Sequence, residues 1–187
     1  KLKSNFAING IVYYTEPISN ICFPAGTPID TDQGKVDIDK LCIEQHTIRG
    51  ESIVAITQTV TEDKCLIRFD AGSLYKNVPS ARTEMSCEHC IFHNKTMVRA
   101  VDLARRLPGV YKVPYSGEPL YNVLLDAPGK MLVNNLIAET LHPNNGTAKL
   151  VLHLLAMPDV RDREEFVRMY NKDAKKRGVF KKNIHRL

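Results

Sequence analysis

Between residues 7 and 137 the apolar residues of this chain come in short runs, and turn residues interrupt each run before it could complete a long helix. The runs are Ala7–Tyr14, Thr27–Asp30, Gly34–Ile38, Ser52–Val60, Cys65–Phe69, Ile91–Phe92 with Met97–Val98, Leu120–Leu125 and Met131–Ile137, most of them rich in Val, Ile, Tyr and Thr. Between them stand Asn9-Gly10, Asp32-Gln33-Gly34, Arg49-Gly50, Ala71-Gly72, Ser116-Gly117 and Pro128-Gly129. β-Branched and aromatic residues fit a pleated, half-buried surface, and Gly, Pro, Asn and Asp supply the backbone angles that reverse a chain. Many short strands at roughly even spacing predict an all-β domain, a sandwich or a curled barrel. One short helix is expected at Val101–Leu107, where Pro108-Gly109 would stop it.

The pattern changes after Leu141. His142-Pro143-Asn144-Asn145-Gly146 is a dense cluster of turn residues. Beyond it Thr147–Met157 reads as a helix with Leu150, Val151 and Leu154 on one side, and Pro158 breaks it. Asp159–Arg177 reads as a second helix with an apolar stripe of Val160, Phe166, Val167 and Tyr170, Asp159 or Asp162 at its start and Gly178 at its end. The chain therefore divides into a flanking segment (1–21, strand-like), an all-β domain (22–141) and a helical extension (142–187). The extension is expected to be an accessory, so a chain ending at Asn145 should still fold.

Charge follows the same division. The net charge is +5, but from Arg161 onward ten Lys/Arg face four Asp/Glu, which leaves the first 160 residues close to neutral at about −1. A basic C-terminal helix is expected to be a solvated face, or to contact an acidic partner or the phosphates of nucleic acid. No apolar run approaches the ~18–20 residues of a membrane span. The start, Lys1-Leu2-Lys3-Ser4-Asn5, leads into mixed polar sequence unlike a secretory signal, and without an initiator Met the chain is expected to be a piece of a longer one. Its five cysteines, Cys22, Cys42, Cys65, Cys87 and Cys90, are odd in number and form no disulfide framework. They favour a reducing intracellular environment or a virion over secretion.

Three segments carry residues with chemistry. Ile21-Cys22-Phe23-Pro24-Ala25-Gly26-Thr27-Pro28-Ile29 puts a cysteine at the edge of the β region, where it could attack the peptide bond before it. Ser86-Cys87-Glu88-His89, trailed by Val98-Arg99-Ala100-Val101-Asp102-Leu103, offers a hydroxyl three residues before an imidazole, the side chain that exchanges protons near neutral pH. Leu120-Tyr121-Asn122-Val123-Leu124-Leu125, a turn at Pro128-Gly129 and Met131–Ile137 look like paired strands. Each is ordinary alone: a single Cys is most often a small core residue, and a single His a structural one.

Taken in order, with Gly34-Lys35-Val36-Asp37-Ile38-Asp39-Lys40-Leu41 after the first, these blocks resemble the Hint superfamily, which comprises inteins, hedgehog autoprocessing domains and intein-like domains. The resemblance covers about residues 20–141. It implies a horseshoe-like all-β fold whose first residue and last strand meet, and the 119 residues from Cys22 to Thr140 leave no room for an endonuclease insert. It also implies that the Cys22 thiol attacks the carbonyl of Ile21, turning the Ile21–Cys22 peptide into a thioester, with protein splicing as the full form of the chemistry. A free thiol has a pKa near ~8.5, so it is only slightly ionised at neutral pH yet intrinsically nucleophilic. The resemblance makes His89 the donor of a proton to the departing Cys22 nitrogen. It makes Ser86, at a position where the family has Thr, a group that helps hold the scissile carbonyl. Asn122 stands where many inteins carry Asp, so a proton-handling role is not expected of it, and the sequence locates no oxyanion site.

The end of the domain departs from the family. Inteins close with His-Asn, whose Asn cyclises; here Glu139-Thr140 stands in that place, and neither side chain can form a succinimide. Asn145-Gly146 is the nearest cyclising pair, at the wrong spacing. The expectation is self-cleavage or acyl transfer without splicing, on the chain's own N-terminal flank as substrate, with water or an external nucleophile as acceptor and no cofactor. Two alternatives stand beside it. One is a catalytically silent Hint fold kept as a structural domain. The other is a structural zinc site from Cys87-x-x-Cys90-x-x-His93, completed by Cys65, Cys42 or His46.

Overall fold

The computed structural model describes residues 21–59, 61 and 63–176. The expected strand at Ala7–Tyr14 and the basic tail from Arg177 lie outside these residues. Among the described residues thirteen strands run in the order β1 (Phe23–Pro24), β2 (Pro28–Thr31), β3 (Gly34–Asp37), β4 (Thr47–Ile48), β5 (Glu51–Thr59), β6 (Cys65–Phe69), β7 (Thr83–Met85), β8 (Cys90–His93), β9 (Thr96–Arg99), β10 (Val110–Pro114), β11 (Leu120–Leu125), β12 (Lys130–Val133) and β13 (Leu136–Glu139). A short helix α1 (Ala100–Ala104) precedes β10, and α2 (Gly146–Ala156) and α3 (Val160–Lys176) follow β13. The described chain is mostly β-sheet with two C-terminal helices, the expected class. Among these residues no helix is long and apolar enough to cross a membrane.

The strands form three sheets, ordered β1-β11-β5-β4, β10-β6-β7 and β3-β2-β12-β13-β8-β9. Every pairing between these strands is antiparallel, and an isolated parallel bridge joins Leu124 to Leu141. A main core of Phe23, Ile29, Ile38, Ile48, Ile67, Phe69, Met85, Ile91, Val123 and Met131 draws on all three sheets. Gly26 shows why one block of the sequence needs glycine. Its φ is +75°, which a side chain would strain, and its N–H donates to the Asp39 carboxylate at 2.6 Å, tying two of the sequence blocks together.

Three expectations change. Met131–Ile137 is two strands, because Asn134 and Asn135 take φ of +48° and +67° and make the tight turn of a hairpin. Leu120–Leu125 does not pair with the strand after Pro128-Gly129; β11 lies between β1 and β5, whereas β12 lies between β2 and β13. Thr83–Met85 and Val110–Pro114 are additional strands. The first is too short to show alternation, and the second ends in a proline that only its place on a sheet edge tolerates.

The helices bury a second cluster. Ala148, Leu150, Val151 and Leu154 of α2 and Val167 of α3 pack with Ala55, Leu124 and Leu141 of the β domain, and Ile21 packs against the same cluster. Asn145 caps α2, its side-chain oxygen accepting the Thr147 N–H at 2.8 Å, so this carboxamide is committed to the helix. Phe166 packs on His153 and Tyr170. Val160, expected in the apolar stripe, is 61% exposed. Leu154→Ala should cost about 2–5 kcal/mol in urea unfolding, whereas a chain ending at Asn145 should keep β-type circular dichroism at a reduced urea midpoint. Loss of that β signal would make the helices part of the domain core.

Candidate active site

Strand β1 has two residues, and its pairing fixes the position of everything before it. Phe23 lies opposite Tyr121 and Pro24 opposite Leu120. Running antiparallel, the next residues back, Cys22 and Ile21, are carried toward Asn122. There the Asn122 side-chain amide donates to the carbonyl oxygen of Ile21. The Asn122 Oδ1 accepts the N–H of Val123 at 2.7 Å, so its NH2 end is the one directed at Ile21. Asn122 is buried.

The other side of the same peptide bond belongs to Ser86. Its hydroxyl accepts the N–H of Cys22 at 2.7 Å, and its own N–H donates to the Cys22 carbonyl at 2.9 Å. Ser86 therefore holds the nitrogen of the Ile21–Cys22 bond; the expected contact with its carbonyl is made by Asn122 instead. The Ser86–His89 turn closes through the His89 N–H to the Ser86 carbonyl. The start of α1 holds it from below, with the N–H groups of Ala100 and Val101 donating to the carbonyls of His89 and Cys87. Arg99 binds both Glu88, at 3.0 Å, and Asp102, at 2.9 Å. This explains why the Arg-Ala-Val-Asp run trails the Ser-x-x-His block.

His89 is fully buried, with its ring 4.3 Å from that of Phe23. Its Nε2 lies 3.1 Å from the carbonyl oxygen of Glu139. A carbonyl only accepts, so Nε2 carries the proton and Nδ1 presents a lone pair; among the described residues Nδ1 has no hydrogen-bond partner. Burial lowers the His89 pKa to about 4, against the opposing pull of main-chain oxygens of Glu139 and Cys22. Cys22 is 4% exposed, among Leu66, Val113, Leu120 and Tyr115. Burial pushes its thiol up to about 12. Both groups are thus neutral at pH 7.

The last strand closes the site from the opposite side. Besides its carbonyl on His89, Glu139 accepts the Cys90 N–H through Oε1 at 2.9 Å. The Thr140 hydroxyl bonds to the main chain of Gly129. Ile21, Cys22, Ser86 and His89, selected by sequence, lie together, although 67 positions separate Cys22 from His89. Asn122 is a donor that the sequence does not announce, because its contact with Ile21 rests on the long-range pairing of β1 with β11.

The zinc alternative is not supported. Cys87 turns to Cys65, their sulfurs 3.5 Å apart, Cys90 points at the Glu88 carbonyl, and His93 stacks on Tyr75. Among the described residues no three His, Cys, Asp or Glu side chains converge as a metal site requires.

The family model of the Hint domain matches residues 21–145. The chain belongs to the Hint domain family, and its fold is the Hint fold. Among solved structures it is similar to a DnaB intein from Synechocystis sp. PCC 6803, at 10% identity and a TM-score of 0.45 over 65% of this chain and 99% of that one. No curated protein matches the chain.

The His89 shift has a consequence for stability. Between about pH 6.5 and pH 4 the unfolded chain binds a proton at His89 that the folded protein refuses, so stability falls as pH is lowered through this window. The full effect is on the order of 3 kcal/mol. Urea midpoints measured from pH 7 to pH 4 should show this decline, and His89→Gln should flatten it.

Proposed function

We propose that the domain is a self-processing one that converts the Ile21–Cys22 peptide into a thioester by an N-to-S acyl shift, then releases or transfers its N-terminal flank without splicing. The observation that carries this reading is the treatment of a single peptide bond. Its carbonyl oxygen is held by Asn122 and its nitrogen by Ser86, and the buried imidazole of His89 packs on Phe23, the next residue.

The proton inventory is simple. His89 Nδ1 takes the proton of the Cys22 thiol as the sulfur attacks the Ile21 carbonyl carbon, and the oxygen gains negative charge. The Asn122 NH2 strengthens its bond to that oxygen, the contribution expected of an oxyanion donor. The tetrahedral centre then collapses: the C–N bond breaks, and the imidazolium returns the same proton to the departing nitrogen of Cys22. Ser86 accepts the N–H throughout and so fixes the position of the nitrogen that receives the proton. An amide donor suits this place better than an acid, because a carboxylate would turn lone pairs toward the developing oxyanion.

Glu139-Thr140 sets the end of the reaction. Without an Asn there, no succinimide forms, and the thioester waits for water or an added nucleophile. Incubation at pH 7–8 with dithiothreitol or hydroxylamine should release a fragment ending at Ile21, identified by intact mass, and Cys22→Ala should abolish it. Asn122→Ala should slow release about 10²–10³-fold, and Asn122→Asp should slow it as well.

A second reading, a Hint fold retained as a structural domain, has one observation in its favour. The Cys22 thiol is pushed up to about 12 by burial, and a thiol so hard to ionise is a poor nucleophile until a base takes its proton. Absence of thiol-dependent release over days would favour this second reading.

A further inference from the structure

Cys65 and Cys87 take no part in the chemistry above, yet two independent features bring them together. The first is register. Strands β6 and β7 pair Phe69 with Thr83, Arg68 with Glu84 and Ile67 with Met85. The ladder ends at Met85, and at that end Cys65 is the first residue of β6 while Cys87 lies two residues past β7, in the turn. The second is the side chains themselves: the two sulfurs lie 3.5 Å apart, and the Cys87 thiol also donates to the Cys65 carbonyl at 3.4 Å.

We propose that Cys65 and Cys87 are a reversible oxidation site, forming a cross-strand disulfide that staples the segment carrying Ser86 and His89 to β6. Strand alternation keeps this bond out of the active site. Leu66 packs against Cys22 and Ser86 bonds to it, so residues 66 and 86 face the scissile bond. Cys65 and Cys87 fall on the opposite face, where Cys87 packs against the main core beside the Ile67–Met85 pair. The staple thus fixes the backbone of the catalytic turn from behind. Neither Cys65 nor Cys87 is a fully buried residue, whereas Cys22 is buried. The inference does not depend on the acyl shift.

The chemistry balances with oxidised glutathione as the two-electron acceptor. Burial and the neighbouring Cys65 push the Cys87 thiol up to about 12, and the steps balance whichever of the two sulfurs attacks first. The Cys65 thiolate attacks one sulfur of oxidised glutathione, whose S–S bond breaks to expel one glutathione thiolate. The Cys87 thiolate then attacks the Cys65 sulfur of the mixed disulfide and expels the second. Two protons and two electrons leave the protein, and two molecules of reduced glutathione carry them.

Titration of the intact chain with oxidised glutathione, followed by intact mass and peptide mapping, tests the site. The expected product has lost the mass of two hydrogens, yields a Cys65–Cys87 cross-linked peptide, and returns to starting mass with dithiothreitol. Its thermal midpoint should rise by roughly 5 °C or more. Cys65→Ser and Cys87→Ser should each abolish the two-hydrogen loss, while Cys42→Ser and Cys90→Ser leave it unchanged. A cross-link mapping to any other pair, accumulation of glutathione adducts without internal bonding, or no reaction would each overturn the proposal. Because the readout is mass and linkage, it is unaffected by whether the Ile21–Cys22 bond is ever cleaved.

Discussion

The organisation of this domain depends on one short pairing, the two residues of β1 against the start of β11. Two residue pairs contribute little free energy by themselves. They hold because Phe23 is fully buried in the main core and because Ser86 grips Cys22 by both its N–H and its carbonyl. Once they hold, the residue before β1 is committed to Asn122. The same geometry draws the Ser86–His89 turn across from β7 and the end of β13 across from the third sheet. A single peptide bond is thereby held from two distant parts of the chain, its oxygen by Asn122 and its nitrogen by Ser86.

Enclosure sets the electrostatics. Burial disfavours charge on either partner, so the thiol of Cys22 and the imidazole of His89 are both held neutral. An ionised Cys22 paired with a protonated His89 would need counter-charges, which this apolar surrounding of Phe23, Leu66, Val113 and Leu120 does not provide. In the acyl shift proposed above, a single proton moving from sulfur to nitrogen through Nδ1 avoids any lasting charge separation, and the transient oxyanion is left to a neutral donor, the role proposed for Asn122. The charged residues near the turn, Glu88, Arg99 and Asp102, are spent on each other, holding the start of α1 under His89.

Much of this was legible before the fold was known. Ser86 and His89 stand out in the sequence because their spacing, with the trailing Arg-Ala-Val-Asp run, is set by main-chain contacts that leave little freedom in length. Strands β2, β5, β6 and β11 announced themselves by composition. What the sequence concealed was pairing. Met131–Ile137 reads as one apolar run because nothing in the letters Asn134-Asn135 requires the left-handed backbone that makes them a hairpin turn. The place of β11 between β1 and β5 is a long-range choice, and it is that choice which makes Asn122 a ligand of the Ile21 carbonyl. Spacing along a chain cannot tell an amide nitrogen from the carbonyl attached to it, and it is the Cys22 N–H that the Ser86 hydroxyl accepts. The proximity of Cys65 and Cys87 likewise exists only once β6 and β7 are in register.

The central claim is that the Ile21–Cys22 bond is held in a state from which the acyl group passes to sulfur. The most direct measurement is 13C NMR of the chain labelled at the Ile21 carbonyl carbon, in a reduced sample at pH 7–8. The account predicts a second carbonyl resonance in the thioester region, downfield of the amide signal, that is absent in Cys22→Ala and collapses to the product acid or hydroxamate when hydroxylamine is added. A single amide resonance in the wild-type protein, unchanged by hydroxylamine over days, would contradict it.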